Sequence, residues 1–409
     1  MSEPRKILHL DLDAFFCAVE VLRDPSLDGK AFAVGGSAEG RGVVSSCSYA
    51  ARKFGVRSAM PMGQALRRCP HLIAVPHGGG YGRLSRKVMA ELDSLTPYVE
   101  QISIDEAFID VTDIPGDSET IARDIQRRIK DQVRLPCSLG GATSKLVAKI
   151  ATNVGKASVD RYWPNAVHLI PAGEEARFLA PLPVQEMWGV GPKSAERLQK
   201  SGIRKLGDLQ HWTDASLEAK LGSFGPELKR RALGVDDRPV VSEGREAKSI
   251  SSETTFDEDI GDRDRLHAVL LSLSQRVGRS LRDDGVVART VTVKLRWSDF
   301  TTITRRITIP DPTDLDLPIY SAAKSLFDKA WAKGRPVRLL GVGTSNLETG
   351  GQQLSLFSQA DDREHRVQEA LDDLRDRFGS AKTKWGREHS HEAGRWFDPE
   401  EEEPEGEVF

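Results

Sequence analysis

The sequence predicts an α+β protein built on two separate units, each a sheet with helices. Residues 6–12, Lys-Ile-Leu-His-Leu-Asp-Leu, alternate apolar and polar side chains as a half-buried strand does. Strand-like and helix-like segments then follow in the order βα…ββαβ to about residue 153. Residues 248–347 give a second, separate βαββαβ order.

The first strand places Leu8, Leu10 and Leu12 on one face and Asp11 on the other. Asp13 suits the cap of a helix beginning Ala-Phe-Phe-Cys. A Gly- and Pro-punctuated region runs to about residue 79, with a helix at 48–54. A long helix follows at 81–95. The run Gln101–Val111 reads mostly as strand, through Ile102, Ile104, Phe108, Ile109 and Val111. A helix at 118–131, a strand near 137–142 and a helix at 144–153 complete the first sheet, with its helices on one face. Short helices with Gly turns occupy 185–236, and Val240–Ala247 reads as a linker. In the second unit helices are expected at 263–284 and 318–334, and strands at 289–298, 301–309 and 337–346. Ser298-Asp299-Phe300 marks a hairpin. An amphipathic helix near 363–378 carries Val367, Leu371, Leu374 and Phe378.

At 409 residues, 39% hydrophobic and 29% charged, the chain is too long for one core, and about 150 residues per domain suggests roughly three. No run reaches the ~18 apolar residues of a membrane helix, and the N-terminus lacks a signal peptide's apolar region. A cytoplasmic protein without membrane association is expected. Cys17, Cys47, Cys69 and Cys137 form no Cys-x-x-Cys pair and read as idle thiols. His389 and His391 read as a solvated tail pair.

The formal charge is −3, but the last 13 residues hold seven acids and no base. Without them, 54 acids stand against 58 bases. Residues 276–306 carry eight Lys or Arg against three Asp, a local patch able to meet phosphates.

Asp11, Asp105 and Glu106 are the acids of interest. In a regular strand Asp105 and Glu106 would point to opposite faces, so they converge only if the chain turns or bulges between Ser103 and Ala107. A hairpin there would bring both to the end of the Asp11 strand. Clustered carboxylates need cations; Mg²⁺ takes oxygen ligands, and two such ions serve in-line phosphoryl displacement. A solvated hairpin tip accounts for the spacing equally well. In Ser45–Lys53, Tyr49 and Arg52 share a helix face, and hydroxyls beside a guanidinium suit a triphosphate. An ordinary surface helix is the alternative.

His-Leu-Asp-Leu-Asp-Ala-Phe-Phe (9–16), Tyr49-x-x-Arg52 and Ser103-Ile-Asp-Glu106 together closely resemble the Y-family DNA polymerases, over residues 6 to about 347. The resemblance implies a polymerase right hand: palm at 1–12 and 79–169, fingers at 13–78, and a helix-hairpin-helix thumb at 170–240. A linker at 241–247 would lead to a βαββαβ little finger at 248–347 and a tail at 348–409. It implies that Asp11, Asp105, Glu106 and the Leu12 carbonyl bind two Mg²⁺ ions. Phe15, Phe16, Ser46, Tyr49, Arg52 and Lys156 would hold the incoming deoxynucleoside triphosphate, with Phe16 as the steric gate against a 2′-hydroxyl. Where the family often has Asn-Lys, this chain has Ser144-Lys145. Where it has Lys-Pro-x-Gly, this chain has Lys156-Ala-Ser-Val.

Residues 187–209 carry a helix-hairpin-helix pattern, in which Gly189 and Gly191 permit a tight turn and Lys193 assists at a DNA phosphate. Arg276, Arg279, Arg282, Arg289, Lys294, Arg296, Arg305 and Arg306 form a candidate phosphate track. Gln353-Leu354-Ser355-Leu356-Phe357 is similar to the motif that docks bacterial polymerases on the sliding clamp; folding back onto the body is the alternative. The implied activity is distributive, low-fidelity DNA synthesis on a primer-template past damaged bases, by a monomer without proofreading. Two rivals are a non-catalytic DNA-binding member that recruits other polymerases, and a nucleotide cyclase. The intact acid trio disfavours the first, and the helix-hairpin-helix and second sheet disfavour the second.

Overall fold

The computed structural model describes residues 4–242, 246–349 and 359–378, with side chains of the last segment from Arg363 onward. The chain divides into two compact units, Met1–Ser37 with Val43–Gly244, and Ala38–Gly42 with Arg245–Phe409.

In the first unit the elements run β1 (Ile7–Leu12), α1 (Phe15–Arg23), β2 (Phe32–Gly35), β3 (Val44–Cys47), α2 (Tyr49–Lys53), α3 (Met62–Arg68) and β4 (Ile73–Val75). They continue through α4 (Tyr81–Asp93), β5 (Val99–Gln101), β6 (Glu106–Asp110), α5 (Ser118–Val133), β7 (Cys137–Ala142), α6 (Lys145–Ser158) and β8 (Val167–Leu169). Short helices α7 (Glu175–Leu179), α8 (Pro192–Lys200), α9 (Leu206–His211), α10 (Asp214–Leu221) and α11 (Phe224–Ala232) close it.

The main sheet has the order β5-β6-β1-β7-β8, with β1 at its centre, antiparallel to β6 and β7. Leu8, Leu10 and Leu12 pack with α4 and α5 residues such as Val88, Leu92, Ile125 and Ile129. The opposite face, carrying Ile7, His9 and Asp11, is crossed by α6. Helices therefore lie on both faces, not one. The cause is local: Gly140 in β7 leaves room, and a Cβ there would stand 2.2 Å from the Ala148 carbonyl oxygen. The Gly- and Pro-rich region holds a second sheet, β3-β2-β4, that its strands of three or four residues do not announce in sequence. The Gln101–Val111 run is split: Ile102–Asp105 is the turn of the β5–β6 hairpin, closed by the Ile102 N–H donating to the Glu106 carbonyl at 3.0 Å.

The second unit runs β9 (Ser249–Ile260), α12 (Arg263–Asp283), β10 (Val286–Trp297), β11 (Thr302–Thr313), α13 (Asp316–Ala330), β12 (Val337–Thr349) and α14 (Gln359–Phe378). Its sheet order is β11-β10-β12-β9. Val291, Val293, Leu295 and Trp297 of β10 pack under α12 and α13. Thr292, Lys294 and Arg296 alternate to the other, helix-free face. The β10–β11 hairpin turns at Asp299-Phe300, as the sequence predicts, with Phe300 left-handed at φ 64°.

α14 docks in an unexpected sense. Its polar residues Gln368 and Asp372 are buried, while Val367 and Phe378 are 48% and 57% exposed. The reason is a buried carboxylate, Asp316, which Arg282 meets at 3.1 Å and Arg375 at 3.4 Å, while Gln368 donates to it at 3.1 Å. A buried charge has to be paired, and the polar face of α14 supplies partners. No helix among the described residues is long and apolar enough to cross a membrane. All four cysteines are buried and free.

Candidate active site

The end of β1 gathers the predicted acids. Asp11 is the direct register partner of Glu106, and the Leu12 N–H donates to the Asp105 carbonyl at 2.9 Å. Asp105 sits in the hairpin turn, its carboxylate accepting from the Ser103 hydroxyl at 2.6 Å. The turn thus does what the alternation of a strand forbids: it brings neighbouring carboxylates to one place.

Two lysines answer the charge. Lys149 and Lys156 lie two turns apart on α6 and share its inner face. Lys149 Nζ stands 2.6 Å from Glu106 Oε1, and Lys156 Nζ 2.6 Å from Asp11 Oδ1 and 3.3 Å from Asp13 Oδ1. Lys149 carries no sequence motif; only its four- and seven-residue spacing from Lys145 and Lys156 hints at a common face. The sequence places Lys156 after its helix, but α6 runs on to Ser158. With alanine in place of the family's proline after Lys156, nothing clashes with the last turn.

Burial pushes the Asp105 carboxyl up, with the Asp11 charge adding, against the Ser103 hydrogen bond and Lys156. Burial likewise raises Glu106, opposed by Lys149 and reinforced by Asp11 and Asp105. Each acid therefore feels its neighbours. Burial would lower Lys156, yet Asp11 and Asp13 hold its ammonium well above the ordinary value. His9 is wholly buried, 2.9 Å from the Thr152 hydroxyl and 3.8 Å from Glu106 Oε1. Burial, then Lys149 and Lys156, push its pKa well below normal, so it is neutral.

Asp13 departs from expectation. Ala14, not Asp13, occupies the helix N-cap, in the left-handed region at φ 47°, and no side chain caps α1. Asp13 is 0% exposed. It accepts from the Ser138 hydroxyl at 2.9 and 3.0 Å and from the Asn165 N–H at 2.9 Å.

Of the predicted triphosphate residues, Tyr49 begins α2, and its hydroxyl is buried without a hydrogen-bond partner. The Arg52 guanidinium lies 4.3 Å from the Tyr49 ring centroid, and its Nε donates to the Cys47 carbonyl. Ser46 is buried on β3. Phe15 is 2% exposed, and its ring packs in the core beneath α4. Phe16 is the more open ring, set edge-on to Tyr81 at 4.6 Å and to His77 at 5.8 Å.

The donor set suits a hard divalent cation: carboxylates and a carbonyl, no sulfur. Among the described residues no group of three or more Asp, Glu, His or Cys side chains is placed as a metal site. Mg²⁺ does not require one, since it keeps waters and substrate phosphates in its shell.

Two features elsewhere bear on nucleic acid. Gly189 takes φ 90°, which glycine permits, but Gly191 is extended and precedes α8 without strain. A Cβ there would meet nothing within 4 Å, so this glycine serves openness and not the turn. Lys193 is exposed on α8. The eight bases of 276–306 do not form one surface. Arg276, Arg279 and Arg282 belong to α12, where Arg279 pairs with Asp283 at 2.9 Å and Asp376 at 3.1 Å. On the strands, Arg289 pairs with Glu348 at 2.7 Å. Lys294 reaches Glu253 at 2.6 Å over Gly341, and Arg296 donates to Thr302 at 2.8 Å. The motif Gln353–Phe357 lies outside the described residues.

Residues 10–153 match the impB/mucB/samB family, residues 247–356 that family's C-terminal domain, and residues 172–203 its helix-hairpin-helix motif. A DNA polymerase IV from Desulfatibacillum aliphaticivorans is 42% identical over 382 residues, covering 91% of this chain and 94% of that one. One from Streptomyces coelicolor is 44% identical over 363 residues, 87% of this chain and 73% of that one. A solved Y-family DNA polymerase chimera superposes with TM-score 0.73 at 27% identity, covering 84% of this chain and all of the other. DinB from Sulfolobus solfataricus gives 0.56 at 26%, covering 83% of this chain and 98% of that one. The chain belongs to the Y family of DNA polymerases, alongside the DNA polymerase IV proteins.

Proposed function

We propose that the chain is a DNA-directed DNA polymerase that extends a primer 3′-hydroxyl with deoxynucleoside triphosphates, copying past damaged template bases in DNA damage tolerance. One observation carries this reading: Asp11, Glu106 and Asp105 meet at one strand end, Asp11 and Glu106 as register partners and Asp105 in the adjoining turn. Asp11, Asp105, Glu106 and the Leu12 carbonyl would hold two Mg²⁺ ions. When bound, such ions activate the primer hydroxyl and neutralise the triphosphate as pyrophosphate leaves in line.

The remaining work falls to side chains. The buried, unpartnered Tyr49 hydroxyl is costly unless an acceptor arrives, and a triphosphate oxygen is one. Arg52, braced on the Tyr49 ring, adds a fixed guanidinium fork, and Ser46 a hydroxyl. Lys156 would supply a further positive charge. Phe16, wedged against Tyr81, would exclude a ribose 2′-hydroxyl. The second unit's βαββαβ sheet would be the little finger. Its helix-free face, with Lys294 and Arg296, and the open N-terminus of α8 at Gly191–Lys193 would hold the DNA backbone without reading sequence. The body carrying β1, β6 and β7 would be palm, Asp13–Gly78 fingers, and α7–α11 thumb. The sliding clamp is the partner assigned to Gln353, Leu354, Leu356 and Phe357.

The test is primer extension by purified protein with Mg²⁺, on intact and damaged templates. Extension is expected, and Asp105→Asn should lower it by at least about 10³-fold while primer-template binding persists. DNA binding without extension by the wild-type chain would instead identify a non-catalytic recruiting member.

A further inference from the structure

Asp13 is a buried carboxylate that the fold does not use for capping. Its full burial costs free energy unless it is paired. Three groups fix it: the Ser138 hydroxyl, the Asn165 N–H, and the Lys156 ammonium at 3.3 Å. Ser138 is the β7 register partner of Asp11, so Asp13's anchor is built into the same sheet end. Lys156 is thereby shared by two carboxylates, one on each side of Leu12, and the closer is Asp11 at 2.6 Å.

We infer that Asp13 is a positioning residue, which holds the Lys156 ammonium at the triphosphate site when Asp11 turns its carboxylate to a cation. The inference rests on the polymerase reading for the identity of the ligand. Asp11 is needed by divalent ions, yet in this structure Lys156 sits on it. With Asp11 as its only counter-charge, the lysine would compete with a cation for that carboxylate, or swing free once displaced. A second carboxylate, immobilised by hydrogen bonds from Ser138 and Asn165, removes the conflict. It leaves Lys156 charged and in place, and Asp11 free to ligate. Asp13 does this without touching substrate.

Asp13→Asn keeps one acceptor oxygen for Ser138 and Asn165 and removes the charge. The probe is a deoxynucleoside triphosphate bound to enzyme and primer-template with Ca²⁺, titrated by fluorescence, so that nucleotide affinity is read without turnover. The dissociation constant should rise about tenfold, the weight of one charge-assisted hydrogen bond. In Mg²⁺ turnover, KM should rise more than kcat falls. Lys156→Ala should weaken nucleotide binding similarly, and the double variant should be no weaker than Lys156→Ala alone. A dissociation constant for Asp13→Asn within about twofold of wild type, or effects that add in full, would overturn the proposal. If Asp13→Asn does not fold, Ser138→Ala retains the charge but loosens its anchor; a rise of about threefold is expected, and no rise overturns the proposal. Absence of primer extension by the wild-type chain would defeat the polymerase reading alone, because the nucleotide titration does not depend on chemistry.

Discussion

Phe16 and Phe15 are adjacent and alike in sequence, yet their positions differ. Phe15 is core; Phe16 stands edge-on to Tyr81, whose hydroxyl in turn donates to the buried Glu20. A ring held this way has little freedom to yield, as exclusion of one hydroxyl demands. Phe16→Ala should therefore raise ribonucleotide incorporation by on the order of a hundredfold with little loss of deoxynucleotide use, in single-nucleotide competition assays. Unchanged sugar selectivity would remove Phe16 from the gate. Such roles were legible only in part. The acids could be picked out because neighbouring carboxylates in an apolar run are anomalous. Lys149 could not, because a lysine on an amphipathic helix is ordinary and its partner lies 43 residues away on β6. Asp13 departs from a cap for a physical reason: an aspartate before an apolar helix fits a cap, and nothing local reveals that Ala14 accepts the left-handed conformation instead.

Elements explain how those residues meet. The β5–β6 turn delivers Asp105 and Glu106, and α6 delivers Lys149 and Lys156. α6 lies close because Gly140 faces it: an added Cβ would sit 2.2 Å from the Ala148 oxygen and 2.3 Å from the Thr152 nitrogen, both backbone. Backbone cannot rotate aside, so Gly140→Ala should cost about 3 kcal/mol or more, measured as a lower urea midpoint with unchanged slope. An unchanged midpoint would mean that α6 packs less tightly on β7 than these distances imply. Periodicity recovers elements of this kind well. The strand expected near 137–142 spans Cys137–Ala142, and the helix expected at 263–284 spans Arg263–Asp283. It fails for β2, β3 and β4, whose few residues are too short to establish alternation and whose pairing includes a parallel contact between distant segments.

Across the whole molecule, charge governs what neither residue nor element shows alone. A net −3 seems ill suited to DNA, but the acids are unevenly placed. In the second unit, α14 brings Asp372 and Asp376 to Arg282 and Arg279, so those arginines serve the fold. The helix-free face of the sheet is left as the basic surface, with Lys294 and Arg296 held only by exposed partners that a phosphate can replace at small cost. If only a few phosphates are contacted there, binding would be weak, and an enzyme of that kind would need another way to stay at a primer end. Tethering supplies it by converting rebinding into an intramolecular event. If Gln353–Phe357 provides the tether, replacing Leu356 and Phe357 with Ala should abolish stimulation of primer extension by the sliding clamp and leave clamp-free extension at the wild-type rate. Loss of both activities together would show instead that the segment is structural. Stimulation retained in full would assign the tether to another part of the chain, and the exposed apolar residues of α14, Val367, Leu374 and Phe378, would be the next surface to mutate.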